Sequence, residues 1–148
     1  MKPGEPRTAD PERIERLCAE QGMRMTEQRR VVARVLSAAE DHPDVEELHR
    51  RAHAVDPHIS IATVYRTVRL FEDAGIISRL DFRDGRSRYE QATGEHHDHL
   101  IDMKTGEVVE FVDEEIERLQ AAIALRLGYK LVDHRLELYG VPVEEGAG

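Results

Sequence analysis

Residues 60–91 read SIATVYRTVRLFEDAGIISRLDFRDGRSRYEQ, and their pattern decides the fold of the first half. Ser60 opens a helix that ends at Gly75. Ile61, Val64, Val68 and Phe71 recur at spacings of three and four and mark a face to bury, while Ala62, Tyr65, Arg66 and Arg69 fall together on the opposite side. That second face is small, aromatic and basic. Beyond Gly75, Ile76–Phe82 and Ser87–Gln91 alternate around Arg83-Asp84-Gly85-Arg86, the pattern of a hairpin with an Asp-Gly turn. Arg79, Arg83, Arg86 and Arg88 decorate it.

Working upstream, three more helices precede this unit. Asp10-Pro11 reads as an N-cap and first helical residue, followed by Ile14, Leu17 and Cys18 on one stripe and a stop at Gly22. Thr26 caps a second helix carrying Val31, Val32, Val35, Leu36 and Ala39, broken at Asp41-His42-Pro43. Asp44 and Glu47 look like a capping pair for a third, with Val45, Leu48, Ala52 and Val55 apolar up to Asp56-Pro57. Helices followed by a basic two-stranded hairpin are the layout of a winged helix-turn-helix. Its recognition helix would start at Ser60, with Tyr65 and Arg66 in reach of base edges and Arg69 on phosphate. For any one such helix the commoner explanation is a solvated charged face. The ordered series makes DNA binding the better reading.

Downstream, residues 95–99 read Glu95-His96-His97-Asp98-His99 and hold three of the chain's eight histidines. If the run is extended, His97 and His99 share one face and His96 and Asp98 the other, so one strand can seed two metal sites. Imidazole and carboxylate without thiolate suit Mn(II), Fe(II), Co(II) or Zn(II). The alternative is a solvated polar turn. His99–Met103 and Glu107–Phe111 flank Lys104-Thr105-Gly106 as a second hairpin. Asp113 caps a helix with Ile116, Leu119, Ile123 and Leu127 on one face, closed by Gly128, and a last strand spans roughly 130–139 with Val132, His134, Leu136 and Leu138 on its apolar side. A lone histidine there is usually a satisfied core residue. Some 55 residues make a thin core, so this half needs a partner surface, most simply a homodimer.

Charge divides the chain at the same place. Residues 1–92 hold 16 Lys and Arg against 17 Asp and Glu, residues 93–148 hold 5 against 13, and the whole chain carries −9. The first half can offer DNA a basic face, whereas the second repels phosphate and attracts divalent cations. Cys18 is the single cysteine, which excludes an intrachain disulfide and reads as a core residue. With no apolar leader and no membrane-length apolar run, the expected location is cytoplasmic.

Gly22-Met23-Arg24-Met25-Thr26-Glu27-Gln28-Arg29, Ile61-Ala62-Thr63-Val64-Tyr65-Arg66, Asp73-Ala74-Gly75 and His96-His97-Asp98-His99-Leu100-Ile101 occur in this order, and the chain resembles the ferric uptake regulator family of bacterial metal-responsive repressors from about Ile14 to Gly140. The resemblance implies an α+β protein, with an N-terminal winged helix-turn-helix DNA-binding domain over 1–92 and a C-terminal α/β dimerisation and metal-sensing domain over 93–148. It implies a sensory metal site at His42, Glu90, His97 and His99 and a second site at His96, Asp98, Glu117 and His134. Arg24 becomes a minor-groove contact and Tyr65 and Arg66 recognition-helix contacts, while the residues themselves put Arg69 on phosphate and the hairpin arginines, Arg86 among them, at the DNA backbone or minor groove. Many members also hold a structural zinc with two Cys-x-x-Cys pairs, but here the first pair's positions read Asp102-Met103-Lys104-Thr105 and the tail has no cysteine. A Cys-based zinc site is therefore impossible.

The expected function is a homodimeric repressor of metal-homeostasis genes, binding palindromic AT-rich double-stranded operator DNA with Fe(II) or Mn(II) as corepressor and Zn(II) able to substitute in vitro. No membrane or small-molecule substrate is expected. A metal-to-DNA coupling of about 1–3 kcal/mol would change DNA affinity roughly 5- to 150-fold. Two alternatives compete: a small metal-dependent hydrolase on the His-rich strand, and a constitutive DNA-binding dimer without a switch. The hydrolase needs a cleft that the short acidic half has few residues to build, there is no catalytic Ser or Cys arrangement, and the arginine-bearing winged helix would go unexplained.

Overall fold

The computed structural model describes residues 10–93 and 96–144. Gly94, at the start of the expected second domain, Glu95 of the His-rich run, the N-terminal nine residues and the tail from Glu145 lie outside them. The described residues divide into two compact units, 10–93 and 96–144.

The first unit contains α1 (Arg13–Glu20), α2 (Glu27–Ala38), α3 (Val45–Val55), α4 (Ile61–Asp73) and the antiparallel hairpin β1 (Ile77–Asp81) and β2 (Ser87–Gln91). Three helices start where their side-chain caps are: Thr26 Oγ1 accepts from Arg29 N at 3.2 Å, Asp44 Oδ1 from Glu47 N at 2.8 Å and Ser60 Oγ from Thr63 N at 3.1 Å. The capping pair at Asp44 is only half made, because the Glu47 carboxylate turns to Arg50 and Arg51 instead. Helix α1 starts later than the sequence suggests. Asp10 closes a turn over Pro11 and Glu12, and the helix begins at Arg13.

α3 and α4 form the helix-turn-helix. Asp56 Oδ1 accepts from His58 N at 3.0 Å, Ile59 is buried, and the His49 imidazole donates Nε2–H to the Ile59 carbonyl at 3.1 Å. Gly75 takes φ 74°, letting Ile76 N reach Phe71 O at 3.0 Å and turning the chain into β1. The buried face of α4 is Val64, Thr67, Val68 and Phe71. Ile61, in the first turn, is 45% exposed instead, and Thr67 takes a buried place by donating its hydroxyl to Thr63 O. The core joins these residues to Ile14, Cys18, Val32, Leu36, Leu48 and Tyr89. Arg88 also departs from expectation. It is buried, paired with Asp84 and lies over the Phe82 ring, so it staples the wing from inside.

The second unit is a three-stranded sheet in the order β4-β3-β5 with one helix. β3 (Asp98–Asp102) is central, antiparallel to β4 (Val108–Phe111) and parallel to β5 (Glu137–Gly140), with α5 (Glu114–Arg126) in the crossover. Asp113 caps α5 as expected. The strand predicted over 130–139 shrinks to four residues, because only 137–140 pair in register with β3, with Leu136 O accepting from His99 N at 3.2 Å just ahead of them; Val132 is 93% exposed and His134 precedes the strand rather than lying on its apolar face.

Within the described part of this unit Ile101 is the one buried apolar side chain, and no residue of α5 is buried. Leu119, Ile123 and Leu127 of the expected stripe face outward. Where the family's first Cys pair would fall, the hairpin closes on itself: Asp102 Oδ1 accepts from Lys104 N at 2.8 Å and Thr105 N at 3.3 Å, and Met103 N donates to Gly140 O at 2.8 Å.

Candidate metal centres and nucleic-acid interface

Strand β3 and the residues just before it send alternate side chains to opposite faces. On one face His96 and Asp98 meet His134, from the segment before β5, and Glu117, from the first turn of α5. His96 Nε2 and His134 Nε2 are 3.1 Å apart; they lie 3.2 and 3.1 Å from Asp98 Oδ1 and 3.3 and 3.4 Å from Glu117 Oε1. All four expected residues therefore converge.

The donor set tests whether a cation fits. For metal–ligand bonds near 2.0–2.2 Å, tetrahedral geometry separates neighbouring ligand atoms by about 3.3–3.6 Å, and the observed spacings are close to this. Asp98 is 1% exposed, and its second oxygen Oδ2 is buried without a hydrogen-bond donor. Two neutral imidazoles have too few protons to satisfy two carboxylates and each other. A divalent cation satisfies all four at once, so these residues fit one.

On the other face the His97 and His99 rings stack edge to face with centroids 4.9 Å apart. Cross-strand register sets Glu110 of β4 opposite His99, and His97 Nε2 lies 3.4 Å from Glu110 Oε1. Sequence reading passed over Glu110. The signal was available in the pairing of two strands: once the turn at Lys104-Thr105-Gly106 fixes the register, Glu110 must share a face with His99.

In the first unit His42 and Glu90 form the corresponding pair, with Nε2 3.1 Å from Oε2. His42 sits in the loop between α2 and α3, and Glu90 is on β2. They meet because Tyr89 N donates to Pro43 O at 3.0 Å, which ties the loop to the strand one residue before Glu90.

The DNA-facing candidates divide in two. Ala62, Tyr65, Arg66 and Arg69 are exposed along α4, and Arg24 is exposed in the segment before α2. Arg66 Nη2 donates to Thr63 Oγ1 at 3.4 Å. Arg86 is engaged differently: its Nε and Nη2 donate to Asp44 Oδ2 at 3.2 and 2.6 Å.

A winged helix with an exposed basic helix face, followed by a sheet unit gathering imidazoles and carboxylates, defines a metal-responsive regulator rather than an enzyme. The comparisons agree. Residues 20–139 match the model of the ferric uptake regulator family, and the chain belongs to that family. It is 70% identical over 132 residues to the ferric uptake regulation protein of Rhizobium leguminosarum bv. viciae, covering 89% of this chain and 93% of that one. A solved zinc-bound manganese uptake regulator is 70% identical with a TM-score of 0.81, over 88% of this chain and 98% of the other. The Helicobacter pylori ferric uptake regulator, whose structure is described as revealing three functional metal-binding sites, is 32% identical with a TM-score of 0.78, over 88% and 87% of the two chains. Among the described residues no helix is long and apolar enough to cross a membrane.

Proposed function

We propose that the chain is a cytoplasmic, homodimeric transcriptional repressor that binds palindromic AT-rich operator DNA when Mn(II) is bound, with Fe(II) as the competing corepressor. The observation that carries the metal dependence is the distribution of donors: His42 with Glu90 in one unit, and His97, His99 and Glu110 in the other. A pair or trio of N/O ligands is a weak site alone, whereas a divalent ion drawing on both sets has a full shell. When bound, the ion supplies cohesion between the winged helix and the sheet unit. His42 and Glu90 then act as the winged helix's handles, and restricting its orientation favours the arrangement in which both recognition helices of a dimer fit the operator. The second site, at His96, Asp98, Glu117 and His134, holds α5 and the segment before β5 against β3.

Three features support the rest. The outward Leu119, Ile123 and Leu127 on α5, with so little apolar burial in this unit, suit a second copy of the chain. Tyr65, Arg66 and Arg69 are exposed for bases and phosphates, Arg24 for the minor groove, and Arg86 keeps Nη1 for phosphate. The preference for manganese rests on two solved manganese uptake regulators at 70% and 69% identity; the equally similar Rhizobium leguminosarum relative is named for ferric uptake, and the ligand types accept both ions, so Fe(II) is kept as the competing corepressor. Anaerobic gel shifts at matched free Mn(II) and Fe(II) test it: operator retardation at lower free Mn(II) than Fe(II) is expected, and the reverse order would make the protein an iron regulator.

A further inference from the structure

The loop carrying His42 is anchored on both sides by guanidinium groups. Before His42, Asp41 receives a two-pronged bond from Arg51 of α3, with Nη1 to Oδ1 at 2.9 Å and Nη2 to Oδ2 at 2.5 Å. Arg51 is itself oriented by Glu47, its Nε donating to Oε1 at 3.0 Å. After His42, Pro43 is bonded to Tyr89, and Asp44 takes the Arg86 fork from the wing turn while its other oxygen caps α3.

A six-residue connection between α2 and α3 has no repetitive backbone bonding to fix it. Without these anchors His42 would sample many positions relative to Glu90, and each metal-binding event would have to order the loop first. Planar forks fix direction as well as distance, which a lysine in the same place does not.

We propose that Arg51 and Arg86 are positioning residues of the metal centre, acting through Asp41 and Asp44 to preset the His42–Glu90 pair for a divalent ion. This rests on the reading that His42 and Glu90 are ligands. It also gives Arg86 two functions, because the guanidinium that would approach DNA phosphate is the one that shapes the metal pair.

The test is Mn(II) affinity without DNA, measured by competition against a fluorescent chelator on metal-stripped full-length protein. A His134→Ala background removes the second site, and thermal unfolding of each variant checks folding. His42→Ala should abolish competitive binding. Arg51→Ala should weaken it about 10-fold or more, the magnitude usual for partners that orient ligands. Arg51→Lys should restore less than half of that loss on a logarithmic scale, and Asp41→Ala with Arg51→Ala should be no worse than Arg51→Ala alone. Asp44→Asn, which keeps the α3 cap while discarding the charge, should weaken binding together with Arg86→Ala. Loss in His42→Ala with parental affinity in the folded Arg51 and Asp44 variants overturns the positioning role. Parental affinity in His42→Ala overturns the ligand reading itself.

Discussion

The buried Asp98 carboxylate meets His134 Nε2 at 3.1 Å, joining the first residue of β3 to the irregular segment that leads into β5. The contact replaces the apolar setting expected for His134 and turns it into part of a four-residue donor cluster. With Oδ2 buried and unbonded, Asp98 is a cost to the metal-free fold and an asset to the metal-bound one.

Asp98→Asn separates those two effects. In metal-free protein the substitution should be neutral or raise the melting temperature, whereas Zn(II) at about 100 times its Kd should stabilise the parent by about 2.7 kcal/mol and the variant by far less. Calorimetry of both proteins with and without Zn(II) checks this. Equal stabilisation of the two would remove Asp98 from the cluster.

Core and cap substitutions should affect the winged helix in proportion to burial. Phe71 is fully buried, so Phe71→Ala should cost about 3–5 kcal/mol. Thr26→Ala, which removes one capping bond on an exposed turn, should cost about 1 kcal/mol. Urea unfolding followed by far-UV circular dichroism measures both.

These local rules were the most legible part of the chain. Thr26, Asp44, Ser60 and Asp113 each cap the helix they precede, because an N-cap is decided by a side chain and a backbone three residues away. The alternation around residues 96–99 sorted the histidines correctly for the same reason. What needed tertiary information was missed. Glu110 joins His97 only through strand register, Arg88 turns inward because Asp84 and Phe82 receive it, and residues 130–136 alternate like a strand but lie ahead of the register pairing with β3, which starts at Glu137. The stripe on α5 was visible, but not that it would face outward from its own sheet.

Acid should expose the ion pairs around α3. Glu47 is held at about 2, against 4.5 for a free glutamate, mainly by Arg50 and then Arg51 in opposition to burial. A carboxyl lowered on folding stabilises the fold above its unfolded value, and that contribution fades as pH falls from about 4.5 towards 2. Metal-free Glu47→Gln should therefore show a shallower decline of melting temperature across this window than the parent. Parallel declines would show that the pairs are solvent-screened and contribute nothing measurable.

Arg66→Ala should cost about 1–3 kcal/mol of operator binding while leaving Mn(II) affinity without DNA unchanged, if Arg66 reads a base. Comparing operator with random duplex at fixed salt decides its role. Equal losses on both would make it a phosphate contact.

The switch proposed for this protein is metal at His42, Glu90, His97 and His99 turning on DNA binding. Fluorescence anisotropy of metal-stripped protein on operator duplex, titrated anaerobically with Mn(II) beside folded His97→Ala, measures it. The parent should bind the operator only as Mn(II) is added, with His97→Ala remaining at its weak metal-free affinity; operator binding by the parent that is equally tight with and without Mn(II) would contradict the switch.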